Sequence, residues 1–416
     1  MSNLLSVVDA QQRLLERFSP LPVERIPLEK AAGRVLAQEV ASNLDLPPFP
    51  NSSMDGFAVR SADLSAATPE KPLELQVVGD IPAGQAPDML IRAQQAVRIM
   101  TGAPLPDGAD AVIPVEDTDF NYRQVGVSAP DSVRVLRPVH PGENVRPRGQ
   151  DVRTGEVVMP SATRLLAQHI GFLAMLGIAS VPVHRLARIG LFSSGDELVP
   201  VSEPLTPGKI HDSNSYTLTA LVERDGAIPL HLGVAPDDAA AVQVTLDRAV
   251  SEKADLIISS AGVSVGAFDF VRSVVEGNGE LNFWRVNMRP GKPLAFGNYR
   301  GIPFIGLPGN PVSAYVGYEI FVRSALLKMA GIQGWKRIWQ PATLLEAVES
   351  DGRESYLRGV VSRQDGRLVA RLTGHQGSGN LRSLVQANAL LMVPSEVKSL
   401  PAGSEINAWL MNEINE

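Results

Sequence analysis

Cysteine is absent from the 416 residues. Disulfides, thiolate zinc sites and cysteine nucleophiles are therefore excluded. An excess of positive charge is missing too: the formal net charge is −7. That balance argues against a general nucleic-acid or membrane-surface binder, though it leaves room for a local basic pocket. No run approaches the length needed to cross a bilayer. The N-terminus carries Asp9 and no apolar core of the signal-peptide kind, so the cytoplasm is the expected compartment. There is no GxGxxG fingerprint, and no HExxH pair among the six histidines. Gly291-Lys292 is followed by Pro293 rather than by the hydroxyl of a Walker loop. Nicotinamide hydride transfer, P-loop hydrolysis and zinc proteolysis thus lose their usual supports.

Glycine and proline, 36 and 32 of them, cluster at a few loops and read as punctuation between elements. Helical spacing predicts helices over 6–18, 28–40 and 161–176. Between the second and third lies Asp45-Leu46-Pro47-Pro48-Phe49-Pro50, which can be neither helix interior nor central strand. It is expected to be an extended crossing. From 73 to 160 short strand signals alternate with turns, the pattern of a small β-rich domain. From 187 to 337 strands alternate with helices of ten to fifteen residues, which implies a mostly parallel, doubly wound α/β sheet. Residues 341–416 return to short strands and predict a terminal β domain. The length fits two to four domains.

The densest signal is Ser259-Ser260-Ala261-Gly262-Val263-Ser264-Val265-Gly266. It follows the apolar run 255–258 and precedes helical spacing at 271–276. A small-residue loop at the carboxyl end of a parallel strand is where open sheets hold ligands. Gly262 and Gly266 let backbone N–H groups approach closely, Ser260 and Ser264 add hydroxyls, and the helix start favours anions. Asp269 brings a carboxylate to a place built for anions, which makes sense if a divalent cation is held there as well. The plainer alternative is a tight turn whose serines cap a helix. A second loop, Pro308-Gly309-Asn310-Pro311, closes the next short run, with Pro311 suited to the first turn of a helix reaching about residue 330. Two such loops would face one crevice.

Gly262 to Gly266 also matches the GxSxG nucleophile elbow. Asp269 stands too close behind Ser264 to come from a later strand end, and the downstream histidine, His375, lies in the terminal β domain. What remains is oxygen-ligand chemistry. Polar loops offer Asp55, Thr101, Asp151, Glu197, Asp237 and Asp269, with basic Arg146, Arg285, Arg289 and Lys292. Carboxylates suit Mg²⁺ sharing its shell with phosphate. Guanidinium groups suit phosphate or another tetrahedral oxyanion. Together they suggest a phosphorylated substrate, a metal and a second anion. Singly, each acid could be no more than a helix-start residue, and the loop carrying Arg146 and Asp151 could be a self-paired surface loop.

Taken together these stretches resemble the MoeA family of molybdopterin molybdenumtransferases, itself similar to the E domain of gephyrin. The carrying motifs are 51–59 (Asn-Ser-Ser-Met-Asp-Gly-Phe-Ala-Val), 99–104, Asn144-Val145-Arg146 with Gly149 and Asp151, and 194–198. Asp212-Ser213-Asn214, the 262–266 loop, Pro290-Gly291-Lys292-Pro293, 307–314 and 374–378 complete them, in the family's order. The resemblance implies an elongated four-part subunit. Domain I takes 1–26, 46–52 and 150–182; domain II, β-rich, 27–45 and 53–149; domain III, α/β and of molybdopterin-binding type, 183–335; domain IV, β, 336–416. It implies a homodimer and the last step of molybdenum cofactor synthesis: molybdate enters the dithiolene of adenylylated molybdopterin, with Mg²⁺, and AMP leaves. An adenylyltransferase and a receiving molybdoenzyme or chaperone are implied as partners.

Carried over by position, the site residues are Asp55, Thr101, Arg146, Asp151, Glu197, Asp237, Asp269, Pro308, Pro311 and Ser378, with Glu197 and Asp269 at the metal. Asp55, Thr101, Arg146 and Asp151 belong to another part of the subunit and are expected to complete the partner subunit's site. The chain departs from the family at Ala261 and Ala267, where Gly and an acid are common, at Ser194 for a frequent Thr, and at Arg285 and Arg289 for lysines. The charge survives at the last two, but a planar fork replaces a point charge. Two alternatives are weighed beside this one: an adenylyltransferase that makes the adenylylated pterin, and a non-catalytic gephyrin-like scaffold.

Overall fold

Short Val- and Ile-rich runs ending in Ser, Gly or Pro become strands, and the amphipathic segments between them fold back as helices that cover the strands. The computed structural model describes residues 4–120, 128–260, 268–334, 337–412 and 414, without the side chains of Phe268, Asp269, Phe283 and Trp284. The chain divides into two units, one made of 1–37, 162–170 and 180–416, the other of 38–161 and 171–179.

In the first unit a six-stranded sheet comprises β1 (Arg188–Ser194), β2 (Ile228–Ala235), β3 (Leu256–Ser260), β4 (Gly279–Arg285), β5 (Pro293–Tyr299) and β6 (Ile302–Leu307). Their spatial order is β2-β1-β3-β6-β5-β4. The first four in that order run parallel, and β5 is antiparallel to both β6 and β4. Helices α1 (Ser213–Arg224), α2 (Ala239–Ser251) and α3 (Phe268–Gly277) connect the parallel strands. Ile189, Leu191, Leu256, Ile258 and Ile305 bury one face against α1 and the 311–329 helical run. Phe192, Ile257 and Phe304 bury the other against α2 and α3. Each such fully buried side chain contributes about 1.5–3 kcal/mol. Asp212 caps α1 by accepting from the Ser215 N–H at 3.1 Å, and Asp238 caps α2 by accepting from the Ala241 N–H at 2.8 Å. The chain leaves β1 for β2 on one side and returns to β3 on the other, so the switch-point crevice opens between the carboxyl ends of β1 and β3.

The terminal domain closes on itself. Strands Glu354–Gln364, Arg367–Leu372, Gln340–Leu344, Glu405–Leu410 and Ala389–Val393 pair in that order, and the last pairs with the first. Closure leaves these strands no open edge. The helical run after β6 starts with Pro311–Gly317, makes a π turn at Tyr318–Val322 and ends with Arg323–Met329. Glu319, 1% exposed, receives Arg224 and Arg323, while Arg337 donates to the Glu319 and Ile320 carbonyls and stacks 4.8 Å from the centre of the Trp409 ring. This polar cluster ties the barrel strand bearing Trp409 to the helical run.

The second unit holds a five-stranded sheet in the order Ala111–Pro114, Gly56–Val59, Gln95–Ile99, Leu73–Ile81, Ser132–Val135. Phe57, Val59 and Ile113 pack one face, and Ala58, Val97 and Val112 the other.

Several expectations need correction. The helix predicted over 28–40 is a single 3-10 turn, Leu28–Lys30, followed by extended chain and the short strand Val40–Ala41. Gly33 there has φ +79°, which breaks a helix, and Val35 and Leu36 are buried in bridges to Arg164 and Val183 instead of along a helix stripe. The helices predicted over 6–18 and 161–176 shorten to Val7–Leu15 and Ala167–Met175. The sequence pattern does not predict strand β5, which Pro293 opens.

Candidate functional site

The switch-point crevice is lined with hydroxyls. Ser193 and Ser260, both buried at the ends of β1 and β3, share a hydrogen bond of 2.7 Å, and Ser193 meets Ser215 of α1 at 3.1 Å. Ser215 in turn donates to Asp212. Gly262, Ser264 and Gly266, which continue from Ser260, lie outside the described residues, as does the side chain of Asp269.

On the β2 side of this crevice three acids gather. After β1 the chain turns through Gly195 and folds the Glu197 carboxylate back over it. A Cβ at Gly195, where φ is +143°, would meet Glu197 Oε2 at 2.5 Å, so only glycine leaves that carboxylate its place. Asp196 accepts from the Asp237 N–H at 3.2 Å. Asp238, not Asp237, caps α2, and Asp237 Oδ1 is buried with no hydrogen-bond partner. Burial, with the charges of Asp196 and Glu197 adding to it, pushes the Asp237 carboxyl above its usual range. A carboxyl with one buried, unpartnered oxygen and two acids near it favours either a retained proton or a cation nearby. Among the described residues no three acids or histidines converge on one point. The donor set, oxygen only, fits Mg²⁺, which takes one or two carboxylates and completes its shell with water and phosphate.

At the opposite end of the same rim the charge reverses. The turn before β5 carries Arg289 and Lys292, the loop after β6 carries Pro308 and Asn310, and the terminal barrel contributes Arg353, Arg358 and Ser378. These surround a cavity of about 320 Å³. Because β5 is antiparallel, its beginning lies at the same edge as the end of β6. Arg358 is 1% exposed, and no carboxylate pairs with it among the described residues. It donates to Ser383 and to the Gly377 carbonyl, each at 3.0 Å, while its backbone N–H donates to Gln376. It thereby holds the loop bearing Ser378. Burial pushes the Arg358 guanidinium down to about 10, with Arg289 adding to the effect, so it stays charged at neutral pH. Arg353 pairs with Asp351 and Lys292 is exposed, so the buried cation left without a carboxylate among the described residues is Arg358, which suits an oxyanion.

Two further contacts join the parts. Asn214 at the start of α1 donates to the Gly309 carbonyl at 2.8 Å, and the Val312 N–H donates to the Ser378 carbonyl at 3.1 Å. Pro311 starts the helical run as expected. Arg285 is exposed at the end of β4, and the cavity wall does not include it. Sequence reasoning misses Arg358 and Arg353, and it places Asp196 and Asn214 within motifs without giving either a site role.

In the second unit the four expected residues form two pairs. Asp55 Oδ1 accepts from both the N–H and the hydroxyl of Thr101 at 2.7 Å. Arg146 pairs with Asp151, with both side chains about half exposed. The two loops are stitched together: Gly102 N–H donates to the Ser52 carbonyl at 2.8 Å, and Asn51–Ser52 pairs with Val145–Arg146.

An open α/β sheet with a switch-point crevice, followed by a closed β barrel, with a β-rich unit elsewhere in the chain, defines a multidomain α/β protein of the ligand-binding class. Family models agree along nearly the whole chain. Residues 5–177 match the MoeA N-terminal region (domain I and II), 190–328 a probable molybdopterin binding domain, and 341–411 the MoeA C-terminal region (domain IV). The chain is 38% identical over 411 residues to molybdopterin molybdenumtransferase 2 of Mycobacterium tuberculosis, covering 97% of this chain and 99% of that one. It is 35% identical to the molybdopterin molybdenumtransferase of Haemophilus influenzae, covering 99% and 100%. It is also similar to the solved structure of a molybdopterin biosynthesis MoeA protein from Pyrococcus horikoshii, with a TM-score of 0.81, 32% identity and coverage of 98% and 100%. The chain belongs to the MoeA family.

Proposed function

We propose that this chain is a molybdopterin molybdenumtransferase, inserting molybdate into adenylylated molybdopterin with release of AMP. The observation that carries the reading is the oxyanion cavity of Arg289, Lys292 and Arg358 on the same rim as the hydroxyl crevice and the acid cluster. Molybdate binds in that cavity beside the dithiolene. The diphosphate lies between Ser260, whose hydroxyl orients it, and the Pro308–Pro311 loop, with Gly262, Ser264 and Gly266, outside the described residues, expected to complete the cradle. Glu197 and Asp269, with Asp237 beside them, would hold Mg²⁺, which when bound supplies positive charge against the diphosphate. A molybdate oxygen attacks the adenylyl phosphorus and the phosphoanhydride bond breaks, the pterin phosphate leaving. The two dithiolene sulfurs then replace two oxygens on molybdenum, one departing on AMP as its Mo–O bond breaks and the other as water with the two thiol protons. Arg358 and Arg289 hold the oxyanion in line, and the crevice walls limit the access of bulk water.

The same reading includes a homodimer in the cytoplasm and the four-part division of the subunit. Asp55, Thr101, Arg146 and Asp151 complete the partner subunit's site. The matches at 5–177 and 341–411 lie outside the α/β domain that the adenylyltransferase alternative would share, and the retained acids and cations weigh against a bare scaffold. No helix among the described residues is long and apolar enough to cross a membrane.

The deciding assay is AMP formation from adenylylated molybdopterin with and without molybdate. AMP is expected only with molybdate, and ATP consumption without it would overturn the reading. Asp269→Ala should fold and release no AMP. Subunit exchange tests the dimer: Arg146→Ala and Asp237→Asn homodimers should be inactive, and their mixture should regain about a quarter to a half of the activity. No recovery from exchanged subunits would remove the shared site.

A further inference from the structure

A cavity of about 820 Å³, larger than the anion cavity, is distinct from it. It opens at the other end of the rim, beside β2. Leu198, Tyr216, Thr219, His231, Val234 and Pro236 are among its walls. Its size and mainly apolar lining are those of a small-molecule site. Two local features make room for it. The pairing of β1 with β2 shifts register between Leu191 and Phe192, so that Leu191 faces His231 and Phe192 faces Gly233. Gly233 sits in this bulge at φ +93°, with nothing within 4 Å of where a Cβ would stand. Tyr216, on α1, is 60% exposed although its neighbours Leu218, Leu221 and Val222 are buried. An aromatic ring left at the mouth of an apolar cavity is a stacking platform.

We infer that this cavity is the subsite for the purine base of the adenylylated substrate, with the base stacked on Tyr216. The inference rests on the proposed function and deepens it.

Charge selects which end of the substrate enters. Asp196, Asp212 and Glu223 line the cavity, and no Lys or Arg is among its walls. Those acids repel the dithiolene and the phosphates, and they suit a neutral base that presents an amine. The Thr219 hydroxyl, buried in the α1 wall, has no hydrogen-bond partner, which leaves one polar group in the wall unsatisfied.

Spacing fits as well. The sheet order places this cavity at β2 and β1, the hydroxyl crevice between β1 and β3, and the oxyanion cavity at β6 and β5. Neighbouring strands lie about 4.8 Å apart, so the four steps from β2 to β5 cover about 19 Å. That run suits two ring systems joined through a diphosphate, with the base at one end, the phosphates at the crevice and the dithiolene at the cations.

The test uses the full chain and two probes, AMP and ribose 5-phosphate, titrated calorimetrically with Mg²⁺. Wild type should bind AMP at least tenfold more tightly than ribose 5-phosphate. Tyr216→Ala removes the platform, and Ala220→Trp fills the cavity from a solvent-facing helix position. Each should weaken AMP about tenfold, the scale of losing one base–aromatic stack. Ribose 5-phosphate affinity and the thermal shift caused by molybdate should stay as in wild type. Should Ala220→Trp fail to fold, Tyr216→Ala alone decides. Unchanged AMP affinity in Tyr216→Ala, or no wild-type preference for AMP over ribose 5-phosphate, overturns the inference. The two readings fail separately. Wild type that releases no AMP in the molybdate assay, yet binds AMP through Tyr216, loses the proposed function and keeps the base site.

Discussion

The two ends of the central rim are built from the same kind of loop and carry opposite charge. At the β2 end Asp196, Glu197 and Asp237 crowd together, and Asp237 holds its proton more tightly than an ordinary carboxyl. At the β5 end Arg289, Lys292 and Arg358 line one cavity with Arg353, which pairs with Asp351, and Arg358 holds its proton less tightly than an ordinary guanidinium. Each end carries an electrostatic cost, which a ligand of opposite sign would relieve under the proposed function. It follows that like charges left along this rim, such as Asp237 and Arg358, are the better candidates for a binding role under the proposed function. The Arg146–Asp151 pair, exposed and satisfied, is the contrasting case.

The largest effect should come from removing the cations. Arg289→Ala with Lys292→Ala should weaken molybdate at least about 100-fold by calorimetry, the scale of truncating charges that hold a buried anion. The thermal stabilisation that molybdate gives wild type should vanish with it. Retained affinity would remove molybdate from that end of the rim.

Next comes the acid end. Gly195→Ala places a methyl group on the Glu197 carboxylate and strains a positive φ. Molybdate-dependent AMP release should fall about tenfold, with roughly 1 kcal/mol of stability lost to strain. Normal turnover would show that Glu197 need not stay where it is.

A smaller, directional effect tests the coupling of the acids. Asp237 must be ionised to hold a cation, so activity is lost as pH falls through its raised pKa. Asp196→Asn removes one of the charges that raise it and keeps an oxygen able to accept from the Asp237 N–H. The acid limb of the pH–rate profile should therefore move to lower pH. A carboxyl raised in the folded state favours folding at low pH, and that contribution is lost as pH rises through the folded pKa. The same variant should accordingly gain thermal stability above the limb and not below it. An unmoved limb would uncouple the two acids.

The smallest effect is expected at the satisfied pair. Arg146→Ala should change stability by no more than about 0.5 kcal/mol in denaturant titration. A larger loss would make the pair structural and weaken its place in a shared site.

Much of this rim was legible in the sequence because loops at strand ends announce themselves through Gly, Ser and Pro after apolar runs. Ser260, Glu197, Asp237, Pro308 and Pro311 fall on that pattern. Arg358 did not, because it lies inside a strand, where a charged residue reads as the solvated face. Its parity with Tyr356 was the available signal: both point to one side of the strand, and both are buried. Arg353 and Asn214 act through loops that meet only in the folded chain, which spacing cannot show. The 28–40 segment was misread because Val35 and Leu36 are buried by bridges to distant residues, and burial of that kind imitates a helix stripe.

The reversal of β5 has one more consequence. In a wholly parallel sheet every loop on the working edge must also launch a helix, so its composition is tied to that helix. The turn at 286–292 launches only a strand, and it reaches the same edge from the other direction. It can exchange one cation for another, as at Arg289, without touching any helix start. The fold thereby separates the turn that carries Arg289 and Lys292 from the loops that start helices.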